Sequence, residues 1–370
     1  MNFSRLPMLN KMFQNNDLAQ KLLTRISRYK DDIRIMEVCG SHTMAIGKWA
    51  LRKLLPPNIH LISGPGCPVC VTPPSIIDSL IDLRSVTIAT FGDMLRLPGN
   101  NGTLEDARAA GLDVRIVYSP LDALKLAKEN ETIFIGIGFE TTIPGIAHTI
   151  RLASQKNLTS LSVLPAFKII PPALKALLNS SEVNIDGFIL PGNVSAIIGS
   201  NAYEFLPQEF NLGGVVTGFE PLDILTAINM LIDQQQNNSP KIENEYQRVV
   251  SPAGNINAQQ AINEVLQVQD SWWRGLGYIP ASGLGIREKF RDFDAIYKYN
   301  LNITDQEKDT GCQCGDVLKG IITPPQCPLF ATKCTPANPI GPCMVSSEGS
   351  CAAYYKYEFA VKTLLYKFER

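Results

Sequence analysis

The feature that most limits what this chain can fold into is a recurring unit. A short apolar run rich in β-branched residues ends in a turn containing Gly or Pro, and a helical segment follows. The runs lie at 33–38, 59–63, 86–90 and 114–118, with turns at Cys39-Gly40-Ser41, 64–72, Phe91-Gly92-Asp93 and Ser119-Pro120. The pattern restarts with runs at 132–137, 161–167, 187–190 and 214–216. Strands that are apolar throughout need cover on both faces, and the intervening helices supply it; this is the signature of a parallel sheet. The chain is therefore expected to be α/β, with two similar parallel-sheet lobes, 1–130 and 131–235, around a cleft. Letter-level identity between the two sets is weak. A helix is expected at 17–30, with Leu18, Leu22, Leu23 and Ile26 on one face. The polar stretch 233–241 reads as a linker, and 247–269 as helical in part, followed by the aromatic bulk of Trp272, Trp273 and Tyr278. Residues 236–370 form a third region. From 310 to 351 periodicity disappears, and six Cys and six Pro crowd the stretch. Metal ligation is the expected substitute for a core there.

At 370 residues the chain is long enough for two to three domains. Lys plus Arg (34) nearly balances Asp plus Glu (35), so charge gives no reason to expect a nucleic acid or a membrane as partner. No apolar run reaches the roughly 18 residues of a membrane span. The stretch 1–20 lacks a signal peptide's apolar centre, so the expected location is the cytoplasm. The nine cysteines are clustered: three between 39 and 70, none between 71 and 311, six between 312 and 351. Without an export signal, such clusters favour metal or redox chemistry over structural disulfides.

The first cluster centres on Gly64-Pro65-Gly66-Cys67-Pro68-Val69-Cys70-Val71-Thr72-Pro73. A two-residue gap lets Cys67 and Cys70 ligate one ion or close a reversible disulfide, and the prolines stiffen the loop. A helix is expected at 75–83, and its N-terminal dipole would stabilise a thiolate on Cys70. The bland alternative is two buried cysteines in a tight turn. Cys39 ends a strand, and ligands of open parallel sheets bind at the carboxyl ends of strands. If the strands before Cys39 and Cys67 are neighbours, the three sulfurs meet at one edge. His42 is then a ligand, a proton donor or a partner to a ligand, against the alternative of a packing residue. Glu140, in Gly138-Phe139-Glu140-Thr141-Thr142, is expected at the same kind of edge, against an ordinary helix cap by Thr141 or Thr142. No Walker A or full dinucleotide fingerprint is present. In the second cluster, four of Cys312, Cys314, Cys327, Cys334, Cys343 and Cys351 suffice for a [4Fe–4S] cluster. A structural zinc site is the alternative. The two left over are either a redox couple or inert core residues.

Four blocks together carry a resemblance: Cys39-Gly40-Ser41-His42-Thr43, the stretch 64–73, the stretch 138–142 and the stretch 344–355. They resemble the signature blocks of the HypD family, iron–sulfur scaffold proteins of [NiFe]-hydrogenase maturation, in the family's order and from about residue 15 to the C-terminus. The resemblance implies a scaffold on which Fe(CN)2CO is assembled with the small chaperone HypC. Cyanide would come from HypE, and the product would pass to the hydrogenase large subunit via HypC. It implies redox activity without a clear stand-alone catalytic reaction. Cys39, Cys67 and Cys70 correspond to the family's iron-site and redox thiols. The C-terminal cysteines correspond to its cluster ligands, with Cys312, Cys327, Cys334 and Cys351 the best match and Cys314 the substitute for Cys312. Two positions depart from the family's pattern, Met44 and Asn193, where histidine is usual. Met44 offers a soft thioether and Asn193 a hydrogen bond. The competing class is a cluster-dependent thiol–disulfide oxidoreductase, and a zinc-stabilised binding protein is a third.

Overall fold

The computed structural model describes residues 15–304 and 306–359. Most of the stretch 1–20, on which the reading of a missing signal peptide rests, lies outside the described residues. Two sheets organise the chain. The first is wholly parallel, in the order β2 (Ile59–Ser63), β1 (Ile33–Glu37), β7 (Gly187–Pro191), β8 (Gly213–Thr217), β9 (Ile242–Asn244). The second runs β10 (Leu266–Trp273), β11 (Gly277–Ile286), β6 (Leu161–Lys168), β5 (Thr132–Gly138), β3 (Thr87–Thr90), β4 (Asp113–Ile116). Its last four strands are parallel, and β10 and β11 form an antiparallel hairpin that joins at β6.

The α/β class and the two parallel-dominated sheets are as expected. The strand content of the lobes is not. β1 and β2 pair with β7 and β8, while β3 and β4 pair with β5 and β6. A boundary at residue 130 therefore cuts both sheets, and β10 and β11, assigned to the third region, extend the second sheet. A βα run carries the signal for a buried strand but none for which sheet it joins.

Side chains alternate between faces, as strand geometry requires. Met36, Ile88, Ile133 and Phe188 point into one core shared by the two sheets. Ile33, Ile35, Ile189 and Val215 point outward, under the helices Asn16–Arg28 and Pro221–Gln236. Phe134 and Val163 do the same beneath the helices Ile143–Gln155 and Ile256–Val265. Burying these outward aliphatic side chains is worth about 1.5–3 kcal/mol each. The helix Asn16–Arg28 is capped by the Asn15 side chain, which accepts from the Leu18 N–H. It buries Ala19, Leu23 and Ile26, while Leu18, expected inside, is 41% exposed. The expected linker is instead the end of the helix Pro221–Gln236 and a short lead into β9. Trp273 is fully buried, donates to Ser282 Oγ at 2.8 Å and stacks on Phe139. Among the described residues from 301 to 359 regular structure is confined to short 3-10 turns, the five-residue helices Cys314–Leu318 and Ser350–Tyr354, and a π-helical turn at Tyr355–Phe359. No helix among the described residues is long and apolar enough to cross a membrane.

Candidate metal and redox centre

The order β2, β1, β7, β8 sets four loops side by side at one carboxyl edge: the CxxC loop, Cys39, Asn193 and Gly218. The strands before Cys39 and Cys67 are indeed neighbours, Glu37 standing opposite Ser63. The loops then touch through glycine. Gly40 N–H donates to Gly66 O at 2.9 Å, and a Cβ on Gly66 would lie 2.3 Å from the Cys39 backbone nitrogen. Only glycine permits this approach.

The thiols nevertheless face two ways. Cys39 is turned toward Asn193, whose Oδ1 accepts from its sulfur at 3.6 Å, and lies near the Glu348 carboxylate. Glu348 is held by Ser41, whose hydroxyl donates to Oε1 at 2.8 Å. Burial, and secondarily Glu348, push the Cys39 thiol up to about 12. Cys70 is turned toward Cys67, Cys343 and the Pro342 carbonyl. Burial pushes its thiol well above the usual value. The helix expected at 75–83 is shorter, only Pro74–Asp78, and burial is the largest influence on the Cys70 thiol.

His42 is fully buried and sits against Phe219 at 4.7 Å. Its Nε2 faces the Gly218 carbonyl at 2.8 Å, so that nitrogen carries the proton. Burial lowers the ring to about 4, leaving it neutral. Nδ1 is then a lone pair with no hydrogen-bond partner among the described residues. Glu37 is buried beneath Cys39, accepting from the Cys39 N–H at 3.1 Å and from the Thr43 hydroxyl; burial pushes its carboxyl up to about 7. Met44, on the helix Gly40–Lys48, is half-buried.

Glu140 lies at the carboxyl end of β5, in the other sheet. Its Oε1 accepts from Ile170 N–H at 2.9 Å, and Oε2 has no partner among the described residues. The helix-cap alternative fails, since Thr142 stands at the cap position and makes no side-chain cap bond. Burial pushes Glu140 up to about 7. Its folded value exceeds the ordinary 4.5, so its contribution to stability is full below 4.5 and is lost as pH rises through 7. Glu140→Gln keeps an acceptor for Ile170 and cannot ionise. In urea titrations it should be about 3 kcal/mol more stable than wild type near pH 8 and equal to it below pH 4.5.

All six downstream cysteines line one narrow cavity, with Val317, Phe330 and Met344. A Cβ on Gly341 would lie 2.3 Å from Cys312 Sγ, so glycine is what admits that thiol. Cys334 Sγ accepts from Ile340 N–H at 3.4 Å. Cys351 neighbours Cys312, Cys334 and Cys327, and burial pushes its thiol well up. Cys314 neighbours both Cys312 and Cys343, and Cys343 neighbours Cys70 as well as Cys351. Cys67, Cys70, Cys343, Cys314 and Cys312 are thus successive neighbours.

Among the described residues no three His, Cys, Asp or Glu side chains converge on one ion position. A cubane makes a different demand, because each of its four thiolates binds a separate iron at a separate corner. A ring of thiols around an apolar-walled cavity fits that demand, and fits a single tetrahedral zinc poorly. The residues that sequence reasoning missed are Glu348, Glu37, Tyr203, fully buried with its hydroxyl accepting from Ser195 at 3.3 Å, and Arg274, buried with Nε donating to Glu307 Oε1 at 2.6 Å. Glu348 lies inside the signature stretch 344–355, but as one carboxylate among small residues. The other three are single residues whose setting arises only from packing.

A model of the family described as "HypD: Hydrogenase formation hypA family" matches residues 16–358. The chain is 47% identical over 332 residues to the hydrogenase maturation factor HypD of Escherichia coli, covering 88% of this chain and 89% of that one. It is 42% identical over 362 residues to the HypD of Cupriavidus necator (93% and 96% covered). With that of Rhodobacter capsulatus the identity is 43% over 364 residues (93% and 97%).

Proposed function

The chain belongs to the HypD family of hydrogenase maturation factors, and on that premise we propose that it is the scaffold on which Fe(CN)2CO is assembled together with HypC. The observation that carries this reading is the single cavity lined by all six downstream cysteines, with Cys70 turned toward its edge at Pro342 and Cys39 set apart at the neighbouring strand end.

Cys39 is the iron-holding thiol of this chain. The iron is cargo, and one thiolate from the scaffold, with HypC's cysteine as the second, leaves positions for diatomic ligands and permits release. The Asn193 amide steadies the sulfur. The His42 Nδ1 lone pair, fixed by the Nε2–H bond to Gly218, is a further donor toward the same strand edge. Soft thiolates suit low-spin iron with strong-field ligands.

Cys312, Cys327, Cys334 and Cys351 would hold a [4Fe–4S] cluster, which supplies one-electron redox capacity when bound. Cys314 and Cys343 are the two thiols left over, and their contacts favour the redox couple over inert core residues. Cys67 and Cys70 form the second couple. Each dithiol can close to a disulfide with loss of two electrons and two protons, and Cys70–Cys343 is where the couples meet. Reduction is needed at the iron end because cyanide arrives as an electrophilic group.

Cys39→Ala should abolish the diatomic-ligand infrared bands of the complex purified anaerobically with HypC, while cluster absorbance persists. Bands at full intensity would sink the assignment. Copurified iron in excess of four per chain, with CO and CN stretches, separates the scaffold from a self-contained thiol oxidoreductase.

A further inference from the structure

The stretch that carries Cys351 also lies against the helix that follows Cys39, and neither iron holding nor cluster ligation uses that contact. On the helix Gly40–Lys48, Gly40 and Gly47 share one face, about two turns apart. A Cβ on Gly40 would lie 2.4 Å from Glu348 Cβ and 2.7 Å from Glu348 O, and one on Gly47 would lie 3.1 Å from the Tyr357 ring. The bare face admits the chain from Glu348 to Tyr357 at close range. The Ser41 hydroxyl donates to Glu348 Oε1 at 2.8 Å. Further along, Arg52 stacks on Tyr354 at 4.4 Å and pairs with Glu358 at 3.1 Å. The same stretch is tied to the six-cysteine cavity. Cys351, on the next helix, lines the cavity wall. A Cβ on Gly349 would lie 2.2 Å from the Cys343 carbonyl oxygen, so the residue after Glu348 is wedged against a second cavity cysteine. Gly66 closes on the Cys39 backbone from the CxxC loop. The Cys39 turn is therefore clamped twice, by that loop and by Glu348.

We propose that Glu348 is a positioning residue for iron holding: through its bond to Ser41 it carries the state of the six-cysteine cavity to Cys39, so that the Cys39 turn is fixed only while the cavity is filled. The inference rests on the cluster proposed for that cavity. A segment with little regular structure draws its folding free energy from its metal centre. When the cavity empties, the stretch around Cys343 and Cys351 loosens, and the Ser41 bond and the Gly40 contact loosen with it. One of the two clamps on Cys39 is then gone. Cys39 is 5% exposed when both are in place, and local opening is what uncovers it. The consequence is an order of assembly, with the cluster first and the cargo iron second.

The test is the rate at which iodoacetamide alkylates Cys39, read by peptide mapping in the full-length protein purified anaerobically without HypC. Each variant is compared cluster-loaded and after an iron chelator has removed its absorbance, and the ratio of the two rates is the readout. Taking the ratio within one variant cancels any change of charge beside the thiol. In the wild type, removing the cluster should speed alkylation at least about tenfold, the opening expected when a hydrogen bond to a carboxylate is given up. Glu348→Gln keeps an acceptor for Ser41 and should keep that ratio. Glu348→Ala should uncover Cys39 with the cluster still bound, bringing the ratio below about twofold. Ser41→Ala should do the same, and it decides if Glu348→Ala fails to fold. A wild-type ratio near one, or alanine variants that retain the wild-type ratio, overturn the proposal. So does a Gln variant that loses the ratio, because charge and not the bond to Ser41 would then be at work. A wild-type protein without iron–sulfur absorbance overturns the cluster reading itself, whereas a brown protein whose variants share one ratio overturns only the role of Glu348.

Discussion

Serine in place of Cys327 or of Cys334 should leave the anaerobically purified protein without the brown iron–sulfur absorbance expected of the proposed cluster. Both thiols are nearly buried on the cavity wall. A hydroxyl is a harder, weaker ligand on a shorter bond. Cys351 neighbours both thiols, while Cys314 neighbours Cys312 and Cys343, and Cys343 reaches Cys70. Cys343→Ser is the matched control and should keep full colour while losing the downstream redox couple. If absorbance survives both the Cys327 and the Cys334 replacement, the ligand assignment is wrong. The loss should extend to stability, because a segment with little regular structure depends on its metal centre for folding free energy. The colourless variants should be cut preferentially within 301–359 by brief proteolysis.

The second large effect is expected at Gly66. An alanine Cβ would lie 2.3, 2.5 and 2.7 Å from the nitrogen, Cα and carbonyl carbon of Cys39. These are backbone atoms, so no rotamer change relieves the clash. Either the CxxC loop or the Cys39 turn must move, and the Gly40 N–H to Gly66 O bond goes with it. Overpacking a tight site costs about 1–3 kcal/mol even where side chains can give. A cost of at least about 3 kcal/mol in urea unfolding is the expected result at this all-backbone contact. Iron should be lost as well, though all nine cysteines remain. A Gly66→Ala protein with wild-type stability and normal infrared bands would show that the approach of the two loops is dispensable.

How far the chain was legible follows from the range of each signal. Strands such as β1, β5 and β6 read well, because a short, uninterrupted apolar run bounded by Gly or Pro is what a strand covered on both faces requires. Their membership of one sheet or the other was not legible, since the β2-to-β3 and β6-to-β7 crossovers change sheets without a local mark. The helix after Cys70 was overread: Pro73 and Pro74 open a helix, but it ends at Asp78. At the site, Cys39, the CxxC pair and Asn193 were legible because their loops follow strands. Asn193 makes the hydrogen bond foreseen for it, and to the thiol itself. Glu348 and Arg274 were not, because a lone charge in a sequence looks like any solvated one until the fold places it, Glu348 half-buried beside Cys39 and Arg274 buried. The partition of the six C-terminal cysteines was out of reach for a related reason: irregular chain carries no periodicity from which facing directions can be inferred.

The interleaving of the two sheets has a consequence for how this protein comes to exist. Every sheet is stitched from segments more than 100 residues apart, β1 waiting for β7 and β6 waiting for β11. Such non-local pairing gives high contact order and slow folding. As the chain leaves the ribosome, β1 and β2 have no β7 until about 150 residues later, and the Cys39 turn and the CxxC loop are presented unburied throughout that interval. The thiols most in need of protection are thus made first and sheltered last. A nascent chain of this design is exposed to oxidants and stray metal ions during its own synthesis, and its yield in the cell should depend on how reducing the surroundings are while it is being made.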